Sequence, residues 1–295
     1  EAGTNMCYII GWLGTKIAPY YLQKITIITN ENQIMFINKV SPSKIKVYDE
    51  CKLKYKFKYV DYLQEKSTNT DALQFGSYIH KIFEDGVGST TTEELNEIAG
   101  ILRANYTFDK QREAKIDICI ENFLVFNNSL SSCEQVSTEQ FFAVELKQGY
   151  AVNGIIDRVV KNKDGGYLVI DYKTSKRAST KRDLFNDPQM LLYAYAVSVL
   201  YSVPIASITL SHYYPHMDKL VHVKFTEAHV LMYMKKLTQK IWEIRKKKKT
   251  DFYPQINQFC DWCGFKDMCP KFNPTTYAAE HAKALKNKKP RKAWK

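Results

Sequence analysis

No apolar run in the 295 residues is long enough to span a bilayer. The opening stretch, "EAGTNMCYIIGWLGTK", has neither the basic flank nor the continuous apolar segment of a secretory signal. Both absences predict a cytoplasmic protein. No G-x-x-x-x-G-K loop occurs, so there is no sign of a built-in helicase or ATPase motor, and no internal repeat is seen. Acidic residues are in deficit, 31 against 43 lysines and arginines, for a net charge of +12. Much of the excess lies in "RKKKK" (245–249) and "KALKNKKPRKAWK" (283–295). Such runs fit a polyanion partner, most simply nucleic acid, or else a solvated helix end and tail. In an intracellular setting the seven cysteines read as thiols or metal ligands, not disulfides.

What is present describes a globular chain: 45% hydrophobic and 25% charged residues, enough for one large domain or two small ones. Residues 1–38 are apolar and Asn-rich without a clear period, and Met35 would make a natural start, so this segment reads as a peripheral extension. A single domain is expected over 39–275 and a basic tail over 276–295. Ser41 followed by Pro42 predicts a capped helix that carries Cys51. "ALQFGSYIHKIFEDGV" reads as a second helix, and Glu93 to Asn127 as a further helical stretch. The period then changes. "FFAVEL", "YAVNGIIDRVV" and "GYLVIDYKT" predict three consecutive strands, with "KNKDGG" as a hairpin turn. "DPQMLLYAYAVSVLY" is a helix capped by Asp187, "ASITLSHYYP" and "KLVHVKFT" are two more strands, and "EAHVLMYMKKLTQKIWEIRKKKK" is a long amphipathic helix. The expected architecture is α/β, a mixed sheet flanked by helices.

Asp171-Tyr172-Lys173 is one of four acid-x-Lys triplets, beside those at Glu50, Glu113 and Glu145. Chance alone gives about four in this composition, so the triplet carries nothing by itself. Its surroundings set it apart. Asp157 and Asp171 are equidistant from the hairpin centre, and equidistant residues face one another in an antiparallel pair. Two facing carboxylates repel unless a positive charge lies between them, and oxygen ligands suit magnesium or manganese. Lys173, two residues on, points to the same face. Gln189 and Tyr193 share one helical face at i, i+4.

"GSYIH", "GIIDR", "VIDYK" and "QMLLY", in this order across about 75–200, resemble the successive motifs of PD-(D/E)xK nucleases of the RecB-like branch. The resemblance implies a restriction-endonuclease-like α/β fold that cleaves DNA phosphodiesters with Mg2+ or Mn2+. It implies His80, Asp157, Asp171 and the Tyr172 backbone carbonyl as metal ligands, and Lys173 as the catalytic lysine. Gln189 and Tyr193 would support that lysine and contact DNA. His80 alone would be a packed core histidine and Tyr193 alone a packing residue; only the ordered set carries the inference. Arg158 is expected either to bind backbone phosphate or to make a structural ion pair, and Lys176 and Arg177 to contact DNA. Glu84 and Glu139 are acids near the site, expected to be salt-bridged or on the surface.

"FCDWCGFKDMCP" places Cys260, Cys263 and Cys269 close together, and Cys51 lies far upstream. Soft thiolates suit zinc or an iron–sulfur cluster. The layout resembles the iron–sulfur RecB-like nucleases, including CRISPR-adaptation nucleases and the AddB nuclease domain. That resemblance implies a [4Fe-4S] cluster on Cys51, Cys260, Cys263 and Cys269 that staples the two ends of the domain. The alternative is zinc on Cys260, Cys263, Cys269 and His281. Cys7, Cys119 and Cys133 read as packing residues. The expected function is a DNA exonuclease that processes free or single-stranded ends in recombination, repair or replication, at a nucleoid or a viral replication site. Two alternatives stay open: a CRISPR-adaptation nuclease trimming prespacers, with a protein partner in that complex or a recombination complex, and a non-catalytic DNA-end-binding iron–sulfur protein.

Overall fold

A computed structural model describes residues 39–66, 71–146 and 149–287. The expected N-terminal extension and the last part of the basic tail lie outside these residues. The chain begins with a short strand β1 (Lys39–Val40), helix α1 (Pro42–Glu50) and a one-turn helix α2 (Lys52–Tyr55) that runs into a π-helical turn over Lys56–Val60. Three helices follow, α3 (Asp71–Asp85), α4 (Thr92–Arg103) and α5 (Lys110–Ser129). Strands β2 (Glu134–Glu145), β3 (Ala151–Lys161) and β4 (Tyr167–Tyr172) come next. Helices α6 (Lys181–Phe185) and α7 (Pro188–Tyr201) lead to β5 (Ile208–Tyr214), β6 (Lys219–Lys224), α8 (Glu227–Lys246) and, after short turns, α9 (Tyr277–Lys286).

The strands form one six-stranded mixed sheet in the order β1-β3-β4-β5-β6, with β2 paired to β3. β3 is antiparallel to β2 and to β4, while β4 and β5 run parallel across the α6–α7 crossover. The hairpin between β3 and β4 closes at Gly165, whose φ of +80° is readily available to glycine. The α/β architecture read from the sequence is the one observed.

Each face of the sheet carries its own core. α7 is buried nearly all round and packs with α1 and α8 on one face. On the other, α3 turns Phe75, Tyr78, Ile79, Ile82 and Phe83 inward, a 3.6-residue stripe that meets α4 and α5. Burial of each such side chain stabilises the fold by about 1.5–3 kcal/mol. A third cluster, Phe57, Leu63, Phe265 and Met268, joins the two ends of the domain.

Three expectations need correction. The stretch from Glu93 to Asn127 is two helices, because the chain breaks after Arg103 and Asp109 caps a new start by accepting from the Arg112 backbone N–H. Strand β2 begins at Glu134, well before "FFAVEL". Its first half is polar and partly exposed, so it lacks the alternation that marks a strand. Cys51 is not carried within a helix. It is the extended residue between α1 and α2, with φ −160° and ψ 115°. No helix among the described residues is long and apolar enough to cross a membrane.

Candidate active site

Registers place three carboxylates in a row across neighbouring strands. Asp157 and Asp171 are the next opposed positions beyond the last paired residues of the β3–β4 ladder, Arg158 and Ile170. On the other side of β3, the pairs Thr138–Arg158 and Gln140–Ile156 bracket Glu139 and Asp157. Glu139 has a φ of +44°, a left-handed conformation that costs a non-glycine residue of order 1–3 kcal/mol. The kink belongs to the site: His80, Glu139 and Asp157 offer ligand atoms that all lie within 4.8 Å of one another. Glu139, left without a role in the sequence reading, is thus part of the cluster. The β2 register would have found it, but the polar start of β2 hid that register.

His80 reaches the cluster from α3. Its Nε2 is 2.9 Å from the Tyr172 backbone carbonyl and its Nδ1 is 3.4 Å from Asp157 Oδ2. Burial lowers the imidazole pKa, and the charge of Asp171 only partly offsets this, so the neutral ring is favoured. A carbonyl can only accept, so neutral His80 carries its proton on Nε2 and turns the Nδ1 lone pair toward Asp157. Asp157 also accepts from the Tyr172 backbone N–H at 2.8 Å. Burial, then the neighbouring Asp171 charge, pushes its carboxyl well above the usual range. Glu139 is raised as well, by burial and then by Glu84. Clustered lone pairs with raised pKa values fit a divalent cation, the carboxylates suiting Mg2+ or Mn2+ and the imidazole suiting a transition ion such as Mn2+. The Tyr172 carbonyl, expected as a ligand, is engaged by His80 and keeps a second lone pair.

Asp171 lies beside this group but outside it, and is 1% exposed. Its Oδ2 is 2.5 Å from Lys173 Nζ, a close ion pair in which the ammonium can donate to the carboxylate. Burial pulls the Lys173 ammonium down, but Asp171 and then Asp157 and Asp187 outweigh it, leaving its pKa raised. Asp171 Oδ1 accepts from Gln189 Nε2 at 3.0 Å. The same nitrogen donates to the Tyr193 hydroxyl at 2.6 Å, which donates in turn to the Ile155 carbonyl at 2.5 Å. Gln189 therefore supports Asp171 directly and Lys173 only through it. Tyr193 is 2% exposed and has no free surface for DNA. Behind Asp171 stands His212, its partner in the β4–β5 register, with Nε2 3.8 Å from Asp171 Oδ2. Nothing in the sequence singles it out, since the β5 register cannot be read without the crossover.

Other candidates separate clearly. Arg158 is 4% exposed and donates to Gln135 Oε1 at 2.8 Å and Asn127 Oδ1 at 2.9 Å, so it is a structural residue and not a phosphate contact. Arg158→Met is expected to destabilise the fold by about 1–3 kcal/mol, because it removes the hydrogen bonds that tie β3 to Gln135 and Asn127. The salt dependence of DNA binding should not change, which urea unfolding and a salt titration would check. Lys176 and Arg177 are exposed in the loop after β4. Glu84 pairs with Lys81 at 2.9 Å and lines the cleft. α3 approaches that loop closely: a Cβ on Gly76 would lie 3.2 Å from Thr174 Oγ1, so the glycine of "GSYIH" lets His80 reach β4.

Cys51, Cys260, Cys263 and Cys269 line one cavity, together with Lys54 and Asn257. The Asn257 backbone N–H is 3.3 Å from Cys260 Sγ. The two ends of the domain are also tied there by Leu53 N–H to the Tyr253 carbonyl at 3.1 Å and Asn257 Nδ2 to the Glu50 carbonyl at 2.9 Å. His281 does not line this cavity. It faces Asp61 Oδ2 at 3.0 Å and packs at a tilt against the Phe57 ring. Cys119 is fully buried, its thiol pushed up to about 12 by burial, and Cys133 touches Asn162. Cys7 lies outside the described residues.

The family model described as "PD-(D/E)XK nuclease superfamily" matches residues 39–270. Among curated proteins, a subunit of the ATP-dependent helicase/deoxyribonuclease of Streptococcus agalactiae is 27% identical over 177 residues, covering 54% of this chain and 16% of that protein. Its counterpart in Streptococcus uberis is 28% identical over 151 residues, covering 46% and 14%. The alignments thus span about a sixth of these relatives' length. A solved structure from Eubacterium rectale, provisionally described as an exonuclease, aligns with a TM-score of 0.51 at 15% identity, covering 80% of this chain and 92% of that one. At that identity it shows a shared fold.

Proposed function

The chain belongs to the PD-(D/E)XK nuclease superfamily, and from that premise we propose that it is a metal-dependent DNA exonuclease acting on strand ends in recombination or repair. One observation carries the reading: the convergence of His80, Glu139 and Asp157 beside the ion pair of buried Asp171 with Lys173. These three would hold Mg2+ or Mn2+, with Asp171 adding charge next to them. A divalent ion there would polarise the scissile phosphate and lower the pKa of bound water. The chain's own residues prepare the site. Tyr172 fixes the His80 ring through its carbonyl and Asp157 through its N–H. Gln189 and Tyr193 lock Asp171 to β3. Lys173, with a raised pKa, is held protonated and is suited to offset charge building on phosphate. The names of the streptococcal relatives support deoxyribonuclease activity and, as names of one subunit, a protein partner; the end-processing role is part of the proposal.

The test is digestion of 5′- and 3′-labelled single and double strands with Mg2+, with Mn2+ and with chelator. Stepwise loss of end label only in the metal lanes is expected; internal cuts alone would instead give an endonuclease, and no cleavage in any lane would reject the reading.

The four cysteines are read as ligands of a structural [4Fe-4S] cluster. Their common cavity, the backbone N–H aimed at Cys260 and the engagement of His281 elsewhere favour an all-thiolate site over zinc with His281. Anaerobically purified protein should be brown and contain iron and acid-labile sulfide, and Cys51→Ala should lose both and unfold more easily. Colourless protein with stoichiometric zinc would establish zinc instead.

A further inference from the structure

The cleft beside the acids, about 520 Å³, has an apolar side. Ile155 lines it with His80, Glu139 and Asp157, and is 49% exposed. Phe141 is its directly opposed partner in the β2–β3 ladder and is 48% exposed. Opposed residues of an antiparallel pair project to the same face and touch, so the phenyl ring extends the surface that Ile155 begins. Across the cleft, Leu73 on α3 is 72% exposed. Large apolar residues are exposed elsewhere on the chain too, and what distinguishes this set is its place in the cleft beside the acids.

We propose that Phe141 and Ile155 form a stacking subsite for the base of an unpaired nucleotide next to the scissile phosphate, so that the cleft takes a single-stranded DNA end. The inference rests on the nuclease reading of the adjoining acids. Phe141 and Ile155 lie two residues from Glu139 and Asp157 along their strands, about 7 Å at the rise of a β-strand. That is comparable to one nucleotide step of an extended strand. A phosphate held at the acids therefore brings a neighbouring base over the apolar pair. A duplex would present phosphates and groove edges, with its base faces hidden in the stack, and would leave Phe141 and Ile155 facing polar surface. Only an unpaired base has a free face to lay on them, and such stacking tolerates any sequence.

The experiment uses the full chain and single-stranded oligonucleotides in which one abasic site is moved inward from the end, one nucleotide at a time. Binding is followed by fluorescence anisotropy with Ca2+ in place of Mg2+, so that a cation holds the phosphate at the acids while cleavage is withheld. The wild type should bind about tenfold more weakly when the abasic site falls at one or two adjacent positions, and equally well elsewhere. In the Phe141→Ser, Ile155→Ser double variant, intact oligonucleotide should bind no better than the abasic one. Its melting temperature should fall by only a few degrees, because about half of each side chain is exposed and the pair contributes modestly to the sheet. A wild type indifferent to every abasic position overturns the proposal and points to a surface for another protein. Equal weakening of intact and abasic strands by the double variant overturns it too. The same oligonucleotides with Mg2+ separate the two readings. Base-dependent binding without metal-dependent cleavage rejects the nuclease and leaves the subsite; cleavage without base dependence rejects the subsite alone.

Discussion

Asp171→Ala is expected to lower metal-dependent cleavage by at least about a thousandfold, roughly 4 kcal/mol of transition-state stabilisation, while DNA binding stays largely intact. Asp171 is where the two halves of the site meet. One oxygen receives Gln189 and the other faces Lys173, and its charge raises the pKa of neighbouring Asp157. Its removal takes away an anion that would help retain a divalent cation and unties Lys173 from its place. Binding should survive because phosphate contacts elsewhere supply most of the affinity. Asp171→Asn is the sharper control. It keeps the shape that Gln189 grips but drops the charge, so it should fold as the wild type does and still lose most activity. Wild-type rates in either variant, measured with end-labelled DNA under single-turnover conditions, would remove Asp171 from the mechanism.

Lys173→Arg and Lys173→Ala should lose cleavage to a similar degree, at least about a hundredfold each. Arginine keeps the charge but replaces a compact ammonium with a wide planar fork. The Lys173 nitrogen sits 2.5 Å from Asp171 in a setting that is 31% exposed for the lysine side chain and 2% for the aspartate, leaving little room for that fork. If Lys173 only neutralised Asp171 as an ordinary ion pair, arginine would serve nearly as well. Near-normal cleavage by the arginine variant would therefore reduce the pair to a structural one.

The parts of this site that sequence exposes are those fixed by local chemistry. The hairpin turn at "KNKDGG" sets the β3–β4 register, and with it the opposition of Asp157 and Asp171. The i, i+4 spacing of Gln189 and Tyr193 and the apolar stripe around His80 are equally local. What stays hidden depends on long-range pairing. Glu139 joins through a left-handed residue in a strand whose polar first half does not alternate. His212 arrives through a parallel register formed across a helical crossover. Arg158 looks like a phosphate ligand beside Asp157, yet it is buried and donates to Asn127 on α5, a partner remote in sequence. The exposure of Phe141 is likewise invisible in "FFAVEL", where neighbouring Phe142 is buried.

The central claim is that register, and not the D-x-K tripeptide alone, builds a divalent-cation site from His80, Glu139 and Asp157. Calorimetric titration of Mn2+ into wild-type protein and into Glu139→Gln tests it most directly. The wild type should bind Mn2+, and the variant, with its fold intact by circular dichroism, should bind it at least about tenfold more weakly, the lower end of what disturbing a metal site costs. Equal Mn2+ affinity in the two proteins would contradict the account.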